Sequence, residues 1–166
     1  MNTEELYKAS HHKYYVQDGI LLYKETHKES GSIYNSGYKY SRLKGRRYRT
    51  HRLIFLMANK ELPELVDHVD GDRLNNNISN LRGATPSQNT NNSKARHNCT
   101  SKYKGVSFNK QTKKWVALAS LDKKSVYLGR FHDQIFAANK VDCFYREWGT
   151  EYNTFNFPKE NERPAL

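Results

Sequence analysis

The sequence predicts an α+β protein in two parts, and three observations predict it. Residues 65–95 read as strand, long polar loop, strand and helix. Residues 103–148 read as three short strands followed by a helix. Between them, around residues 97–102 (HNCTSK), periodicity stops. The expected parts are therefore residues 1–98 and residues 99–166. A length of 166 residues leaves room for one ordinary domain or two small ones. Hydrophobic residues make up only 36%, so any core must be compact and helped by the aromatics, among them twelve Tyr.

Taken in order, the chain opens on Tyr-rich segments, "KYYVQDGILLYKE" and "GYKYSRLKGRRYRT". The second reads as a hairpin turning at Lys44-Gly45. "THRLIFLMANKELP" reads as a short helix, with Thr50 as N-cap, a stripe of Leu53, Leu56 and Met57, and Pro63 beyond its end. Core is its default role, and His51 at its start reads as structural. Residues 65–69 suit a strand, "DGD" a turn, and residues 80–84 (NLRGA) a second strand. Thr85, Pro86 and Gln88 then make a capping-box pattern that opens a helix from about Pro86 to Ala95. Past the break, "YKGVSF", "KWVALASL" and "KSVYLGRF" are strands joined by "NKQTK" and "DKK". A last helix, from about Asp133 to Glu147, carries the stripe Ala137, Val141, Phe144 and Trp148, flanked by Ala138 and Tyr145, and Gly149 stops it. That stripe is core.

Net charge is +11, from 28 Lys and Arg against 17 Asp and Glu. It is spread along the chain: residues 1–98 carry 16 basic and 10 acidic side chains, residues 99–166 carry 12 and 7. Both parts are built to approach a polyanion. Between Lys39 and Arg52 stand seven basic residues and no acidic one, either a solvated strand face or a ribbon that contacts phosphates through Arg46, Arg47 and Arg49. Cys99 and Cys143, the only cysteines, make neither a disulfide framework nor a Cys-rich zinc cage. No basic-then-apolar leader opens the chain and no apolar run approaches a membrane span, so the sequence reads as soluble and intracellular.

"LVDHVDGDRLNNN" (65–77) sets two acidic residues around His68 and then three asparagines. Asparagine amides compete for the backbone, so the triplet suits a loop better than a helix or strand. Asp67 and His68 are adjacent, and on a strand they point to opposite faces. Asn80 opens the second strand, and Asn89 lies in the first turn of the following helix. Taken one at a time, these residues fit a polar hairpin whose Asp, Gly and Asn only make turns. Their joint order resembles the HNH endonucleases, whose site is a ββα-metal motif. The match runs over about residues 50–92, "THRLIFLMA…P…VDHVDGDRLNNNISNLRGATPSQNTNN", and is similar to the subgroup found among phage and intron-encoded homing endonucleases. Asn89 stands where the family name has its last histidine.

The resemblance implies hydrolysis of DNA phosphodiesters, leaving a 5′-phosphate and a 3′-hydroxyl. It makes His68 the general base, and an ordinary histidine pKa of ~6.5 suits proton acceptance near neutrality. It makes Asp67 and Asn89 the ligands of one divalent cation, Mg²⁺ or Mn²⁺. Asn80 joins His68 in the catalytic set by bracing the loop and orienting the imidazole, while Asp70 and Asp72 form turns. The implied partner is double-stranded DNA in the cytoplasm of a bacterial host; monomer and homodimer both stay open.

Residues 102–148 resemble a second family, the three-stranded DNA-binding domain of plant ethylene-response factors (Apetala type), also found appended to phage HNH nucleases. The "Y-x-GV", the Trp, the "YLGRF" and the alanine-bearing helix carry the likeness. It implies a sheet in the major groove with the helix behind it. Strand alternation then turns Trp115, Ala117 and Ala119 toward the helix. Ser107, Asn109, Ser125 and Tyr127 match DNA-facing positions, with Lys104, Lys110, Lys113, Lys114 and Arg130 on phosphates. Plant members carry several Arg and Trp where this chain has Ser, Asn and Tyr, so no base preference carries over. Two rival functions remain: a non-catalytic DNA-binding regulator and an RNA-binding protein.

Overall fold

A computed structural model describes residues 1–92, 99–121 and 124–165. The chain divides into two compact units, Met1–Pro86 and Ser87–Leu166. The expected stretch of helix beyond residue 92 and the turn at residues 122–123 lie outside the described residues. Both units mix helices with small antiparallel sheets.

The first unit opens with a helix that the sequence reading did not anticipate, α1 (Thr3–Lys13). The Asn2 side chain accepts from the Glu5 N–H at 2.8 Å and Glu5 reaches back to the Asn2 N–H at 3.1 Å, a reciprocal capping box. Its last turn carries His11, His12 and Lys13, near the negative end of the helix dipole. Strands β1 (Tyr14–Gln17) and β2 (Ile20–Tyr23) form a hairpin whose tight turn uses Asp18 and Gly19, at φ 49° and 76°. A three-stranded sheet follows, β3 (Ser32–Ile33), β4 (Lys39–Leu43) and β5 (Arg46–Arg49), with Lys44 and Gly45 in the expected turn.

Helix α2 (Thr50–Asn59) leaves β5 without a break. Thr50 is not its N-cap: Arg49 holds that place with no side-chain cap, and the buried Thr50 hydroxyl lies 2.9 Å from Ser41 Oγ instead. Strands β6 (Leu65–His68) and β7 (Leu81–Ala84) pair antiparallel, with Asp67 opposite Arg82 and His68 opposite Leu81. Because Ile78–Asn80 close a 3₁₀ turn, β7 starts one residue later than the sequence suggested, and Asn80 belongs to the turn. The core joins Leu6, Tyr14, Leu21, Leu43, Val66 and Leu81 to Leu53, Ile54 and Leu56 of α2. That apolar anchoring fixes the helix against β6, the strand that carries Asp67 and His68.

The second unit begins in α3 (Pro86–Asn91). Strands β8 (Val106–Asn109), β9 (Lys114–Leu121) and β10 (Lys124–Phe131) form an antiparallel sheet in the order β10-β9-β8. Asp133 caps α4 (Gln134–Trp148), accepting from the N–H groups of Ile135 and Phe136 at 2.7 and 2.9 Å. Ala117 and Ala119 of β9 meet Ala137, Ala138, Val141 and Tyr145 of α4. Small side chains on both sides let helix and sheet approach closely. The buried stripe ends at Tyr145, one turn earlier than expected; Trp148, at the helix's last position, is 58% exposed. Asp142, wholly buried, accepts from the backbone N–H groups of Asn156 and Phe157 at 2.9 and 2.8 Å and so ties the C-terminal segment to α4.

Candidate active site

Strand β6 delivers two adjacent buried polar residues at its end, Asp67 and His68, 7% and 3% exposed. Their side chains do part, as alternation demands. The Asp67 carboxylate meets Arg82 across the hairpin, with Nε and Nη2 each 3.3 Å from Oδ2. The His68 ring instead faces α2 and the loop. Its Nε2 stands 3.0 Å from Oδ1 of Asn76, and its ring centroid lies 4.7 Å from that of His51, edge to face. An amide oxygen accepts, so this contact suits a proton on Nε2.

The loop between the strands holds that arrangement through its own side chains. Asn80 receives the Asp70 backbone N–H on its oxygen and donates its amide to Asp70 Oδ1 and the Asn75 carbonyl, at 3.0, 2.9 and 2.8 Å. Asn75 Nδ2 donates to the other Asp70 oxygen at 2.7 Å. Burial by itself pushes the Asp70 carboxyl up, but the hydrogen bonds from Asn80, Asn75 and the Asp72 N–H outweigh it and leave it below the usual carboxylate range. Of the three asparagines, Asn75 and Asn77 stay exposed in turns while Asn76 is 5% exposed and turns onto His68. Asn80 thus braces the loop, whereas Asn76 is the residue that touches the imidazole. Nothing in three identical letters distinguishes the inward one.

Two aromatic neighbours complete the surroundings. His51, from the first turn of α2, is 2% exposed; burial pushes its imidazole down to about 3, and the charges of His68, Arg49 and Arg52 push the same way. Tyr38 lies 5.2 Å from the His51 ring and 6.1 Å from the His68 ring, measured between centroids. It comes from just before β4, thirty residues from His68, a distance that no local pattern spans. Of the basic run, Arg46 and Arg47 on β5 are exposed, and Arg49 lies over the Tyr38 ring at 4.5 Å. Asn89 is exposed on α3, within the second unit. Among the described residues, no group of three or more His, Cys, Asp or Glu could hold a metal ion. Cys99 and Cys143 are free and exposed.

Residues 48–91 match the HNH endonuclease family. The matched HNH segment contains β6, the asparagine loop, β7, α3 and the helix that supplies His51. Protein 3.8 of Escherichia phage T7 is 35% identical over 78 residues, which cover 46% of this chain and 64% of that protein. YosQ, an SPbeta prophage-derived protein of Bacillus subtilis (strain 168) named for HNH homing endonucleases, is 36% identical over 56 residues, 32% of each chain. The chain thus spans less than two thirds of either relative's length. No solved structure matches.

In the second unit, pairing of β8, β9 and β10 lays Ser107, Val116 and Arg130 side by side, with Leu118 beside Tyr127 and Ser120 beside Ser125. All lie on the sheet face opposite Ala117 and Ala119. Ser107, Ser125, Tyr127 and Arg130 are exposed, Tyr127 to 57%, and Asn109 and Lys114 are half-buried at the edge of this face. The Asn109 oxygen accepts from the Gln111 and Thr112 N–H groups at 3.0 Å, and Lys113 is exposed. Lys104 stands apart from this face. Its ammonium donates to Thr154 Oγ1 at 2.8 Å, and burial pushes it down to about 8, helped by the charge of Arg163. No described helix is long and apolar enough to cross a membrane.

Proposed function

We propose that the chain is a metal-dependent DNA endonuclease, of the kind that phages and mobile elements use for homing. The reading rests above all on His68, a buried imidazole held by Asn76 within the segment that matches the HNH endonucleases. In this reading the hairpin β6–β7 and helix α3 make up a ββα-metal site, and the domains divide at residues 98 and 99. His68 takes the proton of a water as its oxygen attacks phosphorus. The P–O3′ bond breaks, its electron pair leaves on O3′, which takes a proton from solvent, and a 5′-phosphate and a 3′-hydroxyl result. Asn76 orients the imidazole, and Asn80 keeps the loop closed around it. Uncharged His51 borders the ring that becomes an imidazolium without opposing its charge.

Asp67 and Asn89 offer a carboxylate and an amide oxygen, hard donors that suit Mg²⁺ or Mn²⁺, and would hold the ion. When bound, such an ion neutralises charge on the phosphate and on the leaving oxygen. The second unit supplies affinity: the face carrying Ser107, Asn109, Ser125, Tyr127 and Arg130 lies in the major groove, as in the ethylene-response-factor type of domain, with Lys113 and Lys114 on phosphates. Arg46, Arg47 and Arg49 add phosphate contacts from the first unit.

The test is conversion of supercoiled plasmid to open circle with Mg²⁺, with Mn²⁺ and with EDTA, beside competition between duplex DNA and duplex RNA for binding. Nicking that needs metal, together with preference for DNA, is the expected result. Binding without nicking under every metal condition would make the protein a regulator, and preference for RNA would overturn the substrate.

A further inference from the structure

Arg49 and Arg73 reach one aromatic ring from different places in the sequence. The Arg49 guanidinium lies over Tyr38 at 4.5 Å from the centroid, and that of Arg73 over the same ring at 5.0 Å. Arg49 ends β5, and its Nε donates to the Tyr40 hydroxyl at 3.3 Å. Arg73 comes from the polar loop that follows β6. Its side chain passes beside Gly37, and its Nη1 donates to the Ser36 carbonyl at 2.8 Å. Neither guanidinium has a carboxylate partner within 4.0 Å among the described residues. The acids nearest in sequence are engaged elsewhere: Asp70 with Asn75 and Asn80, Asp72 with the Leu74 N–H at 2.9 Å.

Two guanidinium groups against one ring, neither neutralised by a carboxylate, concentrate positive charge at Tyr38. An exposed arginine is also usually free to swing. Arg73 is instead held at two points, by the Tyr38 ring and the Ser36 carbonyl, contacts that leave the Nε and Nη2 donors uncommitted to either. A planar fork held in advance is the form in which arginine binds phosphate oxygens bidentately. The ring that both guanidinium groups contact is 6.1 Å from the His68 ring.

We propose that Arg49 and Arg73, stacked on Tyr38, form a phosphate clamp that seats a DNA phosphodiester beside His68. This rests on the nuclease reading and adds to it Arg73, which the basic run of β5 does not include, and Tyr38 as the clamp's platform. A clamp of this kind works in binding as well as in cleavage, and its contribution to binding depends on salt. Each phosphate contact made steepens the fall of log K against log salt by ~0.9.

The test uses the full-length protein and a duplex oligonucleotide in EDTA, so that binding is measured without cleavage, across a salt series. Arg73→Ala is expected to reduce the slope by about one phosphate contact. Arg73→Lys is expected to keep the slope but lose nicking rate in Mg²⁺, because an ammonium keeps the charge and loses the fork. Lys8→Ala, on the far-exposed face of α1 and paired with Glu4, is the charge-matched control and is expected to change neither. A folded Arg73→Ala protein with wild-type slope and wild-type nicking overturns the clamp and leaves the nuclease reading intact. A wild-type protein that neither binds nor nicks DNA overturns that reading, and the clamp with it. A slope change with duplex RNA and none with DNA overturns the choice of ligand.

Discussion

At the scale of single residues, what stands out is how much of the candidate site is made of uncharged polar groups. Asn76, Asn80 and His51 surround one imidazole and one loop, and none of them adds charge. His51 has a measurable consequence. The unfolded chain protonates this histidine near its ordinary pKa of ~6.5, while the folded protein resists protonation until about pH 3. The unfolded state therefore binds more protons between those limits, so the stability from this group is complete above pH 6.5 and is lost as pH falls toward 3. Replacing His51 with Phe should flatten the dependence of the urea midpoint on pH between 6.5 and 5. Glu162, pulled down to about 2 by its hydrogen bond to Arg146, and the lowered Asp70 contribute only below that window. An unchanged slope in His51→Phe would show that the ring is not buried as described. A second prediction concerns Asn76: Asn76→Ala should lower the nicking rate and leave DNA affinity unchanged, since it frees the imidazole without removing it. Rate and affinity falling together would instead point to collapse of the loop.

At the scale of elements, the asparagine loop depends on a hairpin far from it in sequence. A Cβ on Gly19 would lie 2.6 Å from the Asn77 N–H nitrogen and 2.9 Å from the Asn76 carbonyl carbon, and Gly19 is at φ 76°. Gly19→Ala should therefore destabilise the protein by about 1–3 kcal/mol and slow nicking, although the residue lies at the β1–β2 turn. Thermal unfolding and a nicking assay on the same preparation would check both effects; loss of stability with full nicking would show that the loop does not need this buttress. The same elements show what could be read in advance. The hairpin at Lys44-Gly45, α2, the β6–β7 strands and the three strands of the second unit were legible because each combines a period with a turn or cap signal. Helix α1 was missed although Asn2 and Glu5 spell out its capping box, because its apolar content is thin. Asp67, His68, Asn80 and Asn89 stood out by their order. Asn76, Tyr38 and Arg73 did not, because their roles come from tertiary approach: Tyr38 lies before β4, and only folding brings it to His68.

At the scale of the whole molecule, two units with separate cores divide the proposed labour between cutting and holding. Residues 99–166, which contain the whole sheet and α4, should bind duplex DNA alone, with affinity that falls steeply as salt rises. A folded fragment with no DNA binding at low salt would contradict the role given to the sheet face. One Asp-His…Asn…Asn constellation per chain makes one in-line attack, so a monomer should nick one strand per binding event. The most direct test of the central claim is the rate at which His68→Ala nicks supercoiled plasmid in Mg²⁺, beside its affinity for the same DNA and a circular-dichroism check of folding. With His68 as the base that activates water, the rate should drop by roughly 10²–10⁴ with affinity nearly unchanged, and added metal should restore nothing. A folded His68→Ala protein that nicks at the wild-type rate would contradict the mechanism.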